Sequence, residues 1–104
     1  MKREAGIMKL YPGMKEEYKK RHSEIWPELT AEIKSQGACN YSIFLDEATN
    51  QLFSYLEVTD EKAWSERGAS QITKKWWDYM KDIMETNPDN SPVFIPIEEV
   101  FHLN

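Results

Sequence analysis

Apolar and polar positions along the 104-residue chain change period several times, and each change marks an element. Residues 3–11 alternate loosely through Ile7, Met8, Leu10 and Tyr11 and stop at Pro12-Gly13, which predicts a strand closed by a turn. From Lys15 to about Gln36 the period lengthens. Set out at about 100° per residue, Met14, Tyr18, His22, Ile25, Trp26, Leu29 and Ile33 fall on one side. Lys15, Lys19, Lys20, Ser23 and Glu24 fall on the other. This predicts a long amphipathic helix ended by Gly37. It also predicts a kink or restart near Trp26, because Pro27 removes a backbone donor and crowds the carbonyl four residues back.

Period two returns over residues 38–46, which predicts a strand with Cys39, Tyr41, Ile43 and Leu45 on one face and Asn40, Ser42, Phe44 and Asp46 on the other. A short polar turn follows. Residues 51–58 then place Leu52, Leu56 and Val58 opposite Phe53 and Tyr55, completing an antiparallel hairpin. Asp60 predicts the cap of a short helix over 61–67, ended by Gly68. Ser70 caps a second helix, in which Ile72, Trp76, Met80 and Ile83 recur with Trp77 and Met84 beside them, up to Asn87-Pro88. The segment N-P-D-N-S-P (87–92) is dense in turn formers. A final strand is expected over 97–103, carrying Ile97, Val100, Phe101 and Leu103. The order strand, helix, strand, strand, helix, strand predicts an α+β, ferredoxin-like (βαββαβ) fold in one domain over 1–104. Strands two and three are bulky on both faces, while the helices cover one. A second copy of the chain is the expected cover, hence a homodimer.

Composition narrows the function. A net charge of −5 with no long Lys/Arg run argues against nucleic acid. One cysteine, Cys39, rules out an internal disulfide and a cysteine-rich zinc site and suits a reducing cytosol. The basic N-terminus lacks an apolar stretch behind it, so a secretory signal is not expected. No apolar run approaches membrane-spanning length. The expected location is cytoplasmic, with no membrane partner. Four Trp, five Tyr and four Phe are many for this length, and they suit stacking on sugar rings or on another subunit.

Chemistry concentrates in Y-K-K-R-H-S-E-I-W, residues 18–26. Tyr18 and His22 are one helical turn apart on an otherwise apolar stripe, and polar groups there need a partner or a ligand. An imidazole titrates near neutrality, at about 6.5 when unperturbed, so His22 is the leading group for proton transfer. His102 has no such setting and reads as an ordinary surface histidine. Tyr18 and Tyr41 offer hydroxyls, and Trp76-Trp77 offers two indoles about 100° apart, one for the core and one for a cleft or partner. The same residues would also serve as plain core and edge positions. The two histidines are too far apart for a metal motif, and the four glycines are isolated, so neither a metal nor a phosphate loop is implied. What remains is cofactor-free proton transfer in an aromatic-walled pocket.

Taken together, Y-x-x-R-H (18–22), I-W-P-E-L (25–29), Asn40-Tyr41, Trp76-Trp77, N-P-D-N-S-P and the terminal E-V-F-H-L resemble the L-rhamnose mutarotase family over nearly the whole chain. The resemblance implies a cytoplasmic homodimer of dimeric α/β-barrel type that interconverts the α and β anomers of L-rhamnose with no cofactor. It implies that His22 is the proton donor and that Tyr18, Tyr41, Trp76 and Trp77 bind the sugar. The proton acceptor is open among water, a tyrosine and a loop carboxylate such as Asp89. Two other readings share the architecture: a cofactor-free or haem-degrading oxygenase, and a non-catalytic dimeric binding module.

Overall fold

The computed structural model describes all residues from Met1 to Asn104. Its elements are β1 (Lys2–Lys9), α1 (Lys15–Ser23), α2 (Pro27–Ser35), β2 (Ala38–Asp46), β3 (Gln51–Val58), α3 (Glu61–Ser65), α4 (Gln71–Met80) and β4 (Ile95–Ile97). The four strands form one antiparallel sheet in the order β2-β3-β1-β4. This is the ferredoxin-like arrangement the element order predicts.

Register divides the sheet into two faces. Met8, Leu52, Leu56 and Val58 lie buried on the helix side, with Gly6 opposite Ser54 between them. Ile7 opposite Phe53, and Ala5 opposite Tyr55, lie on the other side. The core under α1 and α4 joins Met8, Leu10, Tyr18, Leu52, Met80, Ile83 and Met84. A smaller one joins Ala38, Leu56, Val58 and Trp64. Full burial of a side chain such as Leu10 or Leu52 stabilises by roughly 1.5–3 kcal/mol.

The helical stretch over 15–36 breaks where a kink or restart is expected, and other expectations are corrected; the stretch runs as two helices. Trp26 adopts an extended conformation (φ −65°, ψ 129°) and Pro27 starts α2 at its first turn. A residue before proline is pushed out of the α region, and proline is well suited to a helix start, so Pro27 sets a restart rather than a kink. The stripe also omitted Arg21, which is buried. The helix expected up to Asn87 stops at Met80. Beyond it Met84 bridges to Leu10, and the Glu85 N–H donates to the Lys9 carbonyl, so backbone pairing with the end of β1 replaces helix.

On β2 the register shifts between Cys39 and Ser42, so Cys39 shares the face of Glu57 and not that of Ile43 and Leu45. The final strand is Ile95–Ile97, overlapping the expected 97–103 only at Ile97. Pro96 is tolerated because β4 is an edge, and the Phe94 ring fills the space where Gly6 has no side chain. Past Ile97 the chain leaves the sheet with Val100, Phe101 and Leu103 exposed.

The shorter segments follow local chemistry. The Asp60 carboxylate accepts from Ala63 N–H, and the Ser70 hydroxyl accepts from Thr73 N–H, capping α3 and α4 as their residue types predict. Ser70 and Thr73 also donate to Glu32 at 2.6 and 3.0 Å, tying α4 to α2. No helix is long and apolar enough to cross a membrane.

Candidate active site

His22 lies in the last turn of α1, with Tyr18 directly beneath it. Their rings stack at 4.2 Å between centroids and 28° between planes. The imidazole Nδ1 is 3.0 Å from the Tyr18 carbonyl oxygen. A carbonyl only accepts, so Nδ1 carries the proton and Nε2 is left with its lone pair. Burial lowers the imidazole pKa below its ordinary 6.5, and the bond to the Tyr18 carbonyl offsets part of that.

Trp76 of α4 meets His22 edge-on, at 5.4 Å and 90°. Behind it stands a wall of rings. Trp26, at the break between α1 and α2, contacts Trp76 at 5.1 Å and stacks on Tyr79 at 5.7 Å. Arg21 anchors this wall. Its guanidinium lies 4.5 Å from the Tyr79 ring centroid and donates to the Tyr79 carbonyl, to both Asp82 carboxylate oxygens and to Glu17. Arg21 therefore fastens α1 to the end of α4, and it holds the carboxyl of Asp82 below its usual range.

Tyr41 reaches the site from β2. It lies two positions before Ile43, which packs on the helix-side core, so alternation puts Tyr41 on that side. Burial pushes the Tyr18 phenol well above the usual range, and the nearby Tyr41 phenol pushes it further. Tyr41 keeps 43% of its surface in water, while crowding around its hydroxyl raises that phenol as well. Neither hydroxyl has a hydrogen-bond partner in the chain, and no buried side-chain N or O is left unpaired, so both remain open to a ligand.

Four of the five expected site residues thus gather: His22, Tyr18 and Trp76 through ring contacts, and Tyr41 through its proximity to Tyr18. Trp77 is half-buried on α4 and makes no ring contact with the cluster. Asp89 is engaged elsewhere, accepting from the Ser91 hydroxyl and N–H inside the 87–92 turn. That turn is closed by Asn87 N–H to the Ser91 carbonyl and tied to α4 by Asn90 to Asp78, which makes it a brace for the segment after Trp77. Sequence reading passed over Tyr79 and Arg21. The arginine stood inside Y-x-x-R-H, and the tyrosine three residues after Trp76, where helix neighbours meet. No group of three His, Cys, Asp or Glu side chains gathers where a metal ion would be held.

Residues 3–103 match the family model described as L-rhamnose mutarotase. The chain is 55% identical over 104 residues to the L-rhamnose mutarotase of Oceanobacillus iheyensis, covering all of both chains. It is 55% identical over 103 residues to that of Listeria monocytogenes, covering 99% of each. The crystal structure of L-rhamnose mutarotase from Formosa agariphila superposes with a TM-score of 0.91 at 50% identity, covering both chains completely. With an aromatic-walled imidazole on a ferredoxin-like sheet and this full-length likeness, the chain belongs to the L-rhamnose mutarotase family.

Proposed function

We infer that this chain is an isomerase that interconverts the α and β anomers of L-rhamnose, serving L-rhamnose metabolism. The observation that carries the site is the asymmetry of His22: Nδ1 is committed to the Tyr18 carbonyl, and Nε2 has no hydrogen-bond partner in the chain, in a ring set edge-to-face with Trp76. In the reaction the charged form of His22, with a second proton taken up at Nε2, gives that proton to the ring oxygen. The bond from C1 to the ring oxygen breaks, the anomeric hydroxyl loses its proton, and the aldehyde forms. Rotation about C1–C2 and return of the ring oxygen to the other face, with the protons restored, yields the other anomer.

Tyr18 and Tyr41 hold sugar hydroxyls. Their phenols are raised and stay protonated, which suits hydrogen-bond donation and disfavours either as the proton acceptor. Asp89 is occupied by Ser91. Water is therefore the acceptor in this reading. Trp76 and Trp77 stack on the less polar face and the methyl group of the deoxy sugar. Residues 1–104 act as one domain, in the cytoplasm, as a homodimer paired through the uncovered sheet face.

Equilibrium exchange between the two H1 resonances of L-rhamnose, followed by NMR, tests this directly. Protein-dependent exchange is expected, reduced by about 10²–10⁴-fold in His22→Ala. Exchange at the buffer rate with correctly folded wild type would sink the activity. Full activity in His22→Ala would remove His22 from the donor role alone.

A further inference from the structure

The pairing of β2 with β3 contains one irregularity, and it falls beside the substrate site. Ala38 and Cys39 pair with Val58 and Glu57, but the next regular pair is Ser42 with Tyr55. Asn40 and Tyr41 together occupy the place opposite the single residue Leu56, so β2 carries one extra residue: a bulge. Asn40 takes a positive φ of 48°, the left-handed conformation that asparagine tolerates better than most residues.

An extra residue inverts the phase of a strand. Continued from Cys39 without the bulge, the register would set Tyr41 opposite Tyr55, on the face away from the helices. With it, Ile43 and Leu45 pack into the helix-side core and Tyr41 stands on their side, near Tyr18. The bulge thus decides whether Tyr41 belongs to the site.

One side-chain bond fixes Asn40. Its amide donates to Glu57 Oε1 at 2.8 Å. The other carboxylate oxygen, Oε2, accepts from the Tyr55 hydroxyl at 2.9 Å, which holds Glu57 in place on the face turned away from the site. These two bonds keep the Glu57 carboxyl below its usual pKa, so it is ionised and a strong acceptor at neutral pH.

We propose that Glu57 and Asn40 form a latch that sets the β2 bulge and so positions Tyr41 in the sugar site from the opposite face of the sheet. This rests on the reading of Tyr41 as a sugar-binding residue. Neither latch residue touches substrate. Both are positioning residues acting through Tyr41. A bulge on an edge strand can instead serve only to spoil edge-to-edge pairing, and the two roles predict different coupling.

The test is a double-mutant cycle on the full chain with L-rhamnose. It uses Glu57→Ala, Tyr41→Phe, the two combined, and Glu57→Gln, with NMR of tyrosine labelled at Cζ. The Tyr41 signal is the one absent in Tyr41→Phe. Glu57→Ala is expected to raise KM roughly five-fold, in the range of coupling between neighbouring groups, with kcat changed less. The Tyr41 signal shifts in that variant. Glu57→Gln restores KM, because its carbonyl accepts from Asn40 and its amide donates to the Tyr55 hydroxyl. The combined variant is no worse than Tyr41→Phe alone. An equal loss in both backgrounds, or a Tyr41 signal unmoved by Glu57→Ala, overturns the latch. An unchanged KM in Tyr41→Phe overturns the sugar-binding role of Tyr41, and the Cζ signal in Glu57→Ala then decides the latch by itself. Should Glu57→Ala not fold, Asn40→Gly removes the same bond while keeping the left-handed backbone, and it reads the same KM and the same signal.

Discussion

His22 divides its work between two nitrogens. Nδ1 is spent on the Tyr18 carbonyl, which fixes the ring and leaves Nε2 to titrate. Burial sets the imidazole pKa below 6.5. In the proposed donor role the residue acts in its charged form, so kcat/KM is expected to fall as pH rises through that lowered pKa. Exchange NMR across about pH 5 to 8 measures it, since kcat/KM reports the groups of the free enzyme. A profile that instead rises with pH makes His22 the acceptor. The same shift bears on stability. The folded pKa lies below the unfolded one, so the unfolded chain binds more protons between them. The stabilisation is present above about pH 6.5 and is lost as pH falls through the folded pKa. Urea midpoints should therefore decline on acidification more steeply in wild type than in His22→Gln. Parallel declines would mean that the ring is not desolvated as the structure has it.

At the scale of elements, the site depends on how α1 meets α4. Arg21 supplies that joint through Asp82, Glu17 and the carbonyl and ring of Tyr79. Hydrogen bonds to a charged group are worth about 1.5–3 kcal/mol, so Arg21→Ala is expected to cost that much in urea unfolding. The loss should also raise KM, because Tyr79 supports Trp26 and Trp76 behind the imidazole. Arg21→Lys recovers little, since an ammonium cannot bond both Asp82 oxygens in a fork. An unchanged midpoint in Arg21→Ala would show that the joint holds without it. Element types were legible where one signal dominated. β2 and β3 are β-branched- and aromatic-rich runs across a short polar turn, and their expected bounds agree with the structure. Asp60 and Ser70 are caps by residue type. The 81–86 segment misled because its apolar spacing fits a helix, while its backbone gains more by pairing with Lys9 and Leu10.

For the whole molecule, the face of the sheet turned from the helices is left without a cover by the single chain. Phe44, Ile95 and Ile97 stay exposed there. The terminal segment adds Val100, Phe101 and Leu103, at 91%, 78% and 79% exposure. Glu99 bonds to Arg3 on that same face, which holds the start of this segment beside it. So much apolar surface on one side marks an association site. Sedimentation is expected to show a dimer for wild type and a monomer for Phe44→Glu combined with Phe101→Glu. A monomeric wild type at micromolar concentration would overturn the dimer.

The chain by itself determined the order of elements, the hairpin, the helix caps and the restart at Pro27, because each rests on the chemistry of a few neighbouring residues. It also determined the family, since the motifs around His22, Trp76 and the 87–92 turn are local strings. Tertiary structure alone decided the burial of Arg21, whose partner Asp82 is far along the chain. It alone decided the short β4, where Pro96 finds an edge and Phe94 a glycine. It alone decided the face of Cys39, which a bulge held by a carboxylate on the neighbouring strand separates from that of Tyr41, Ile43 and Leu45. Those outcomes turn on contacts between residues distant in sequence, and local periodicity carries no record of them.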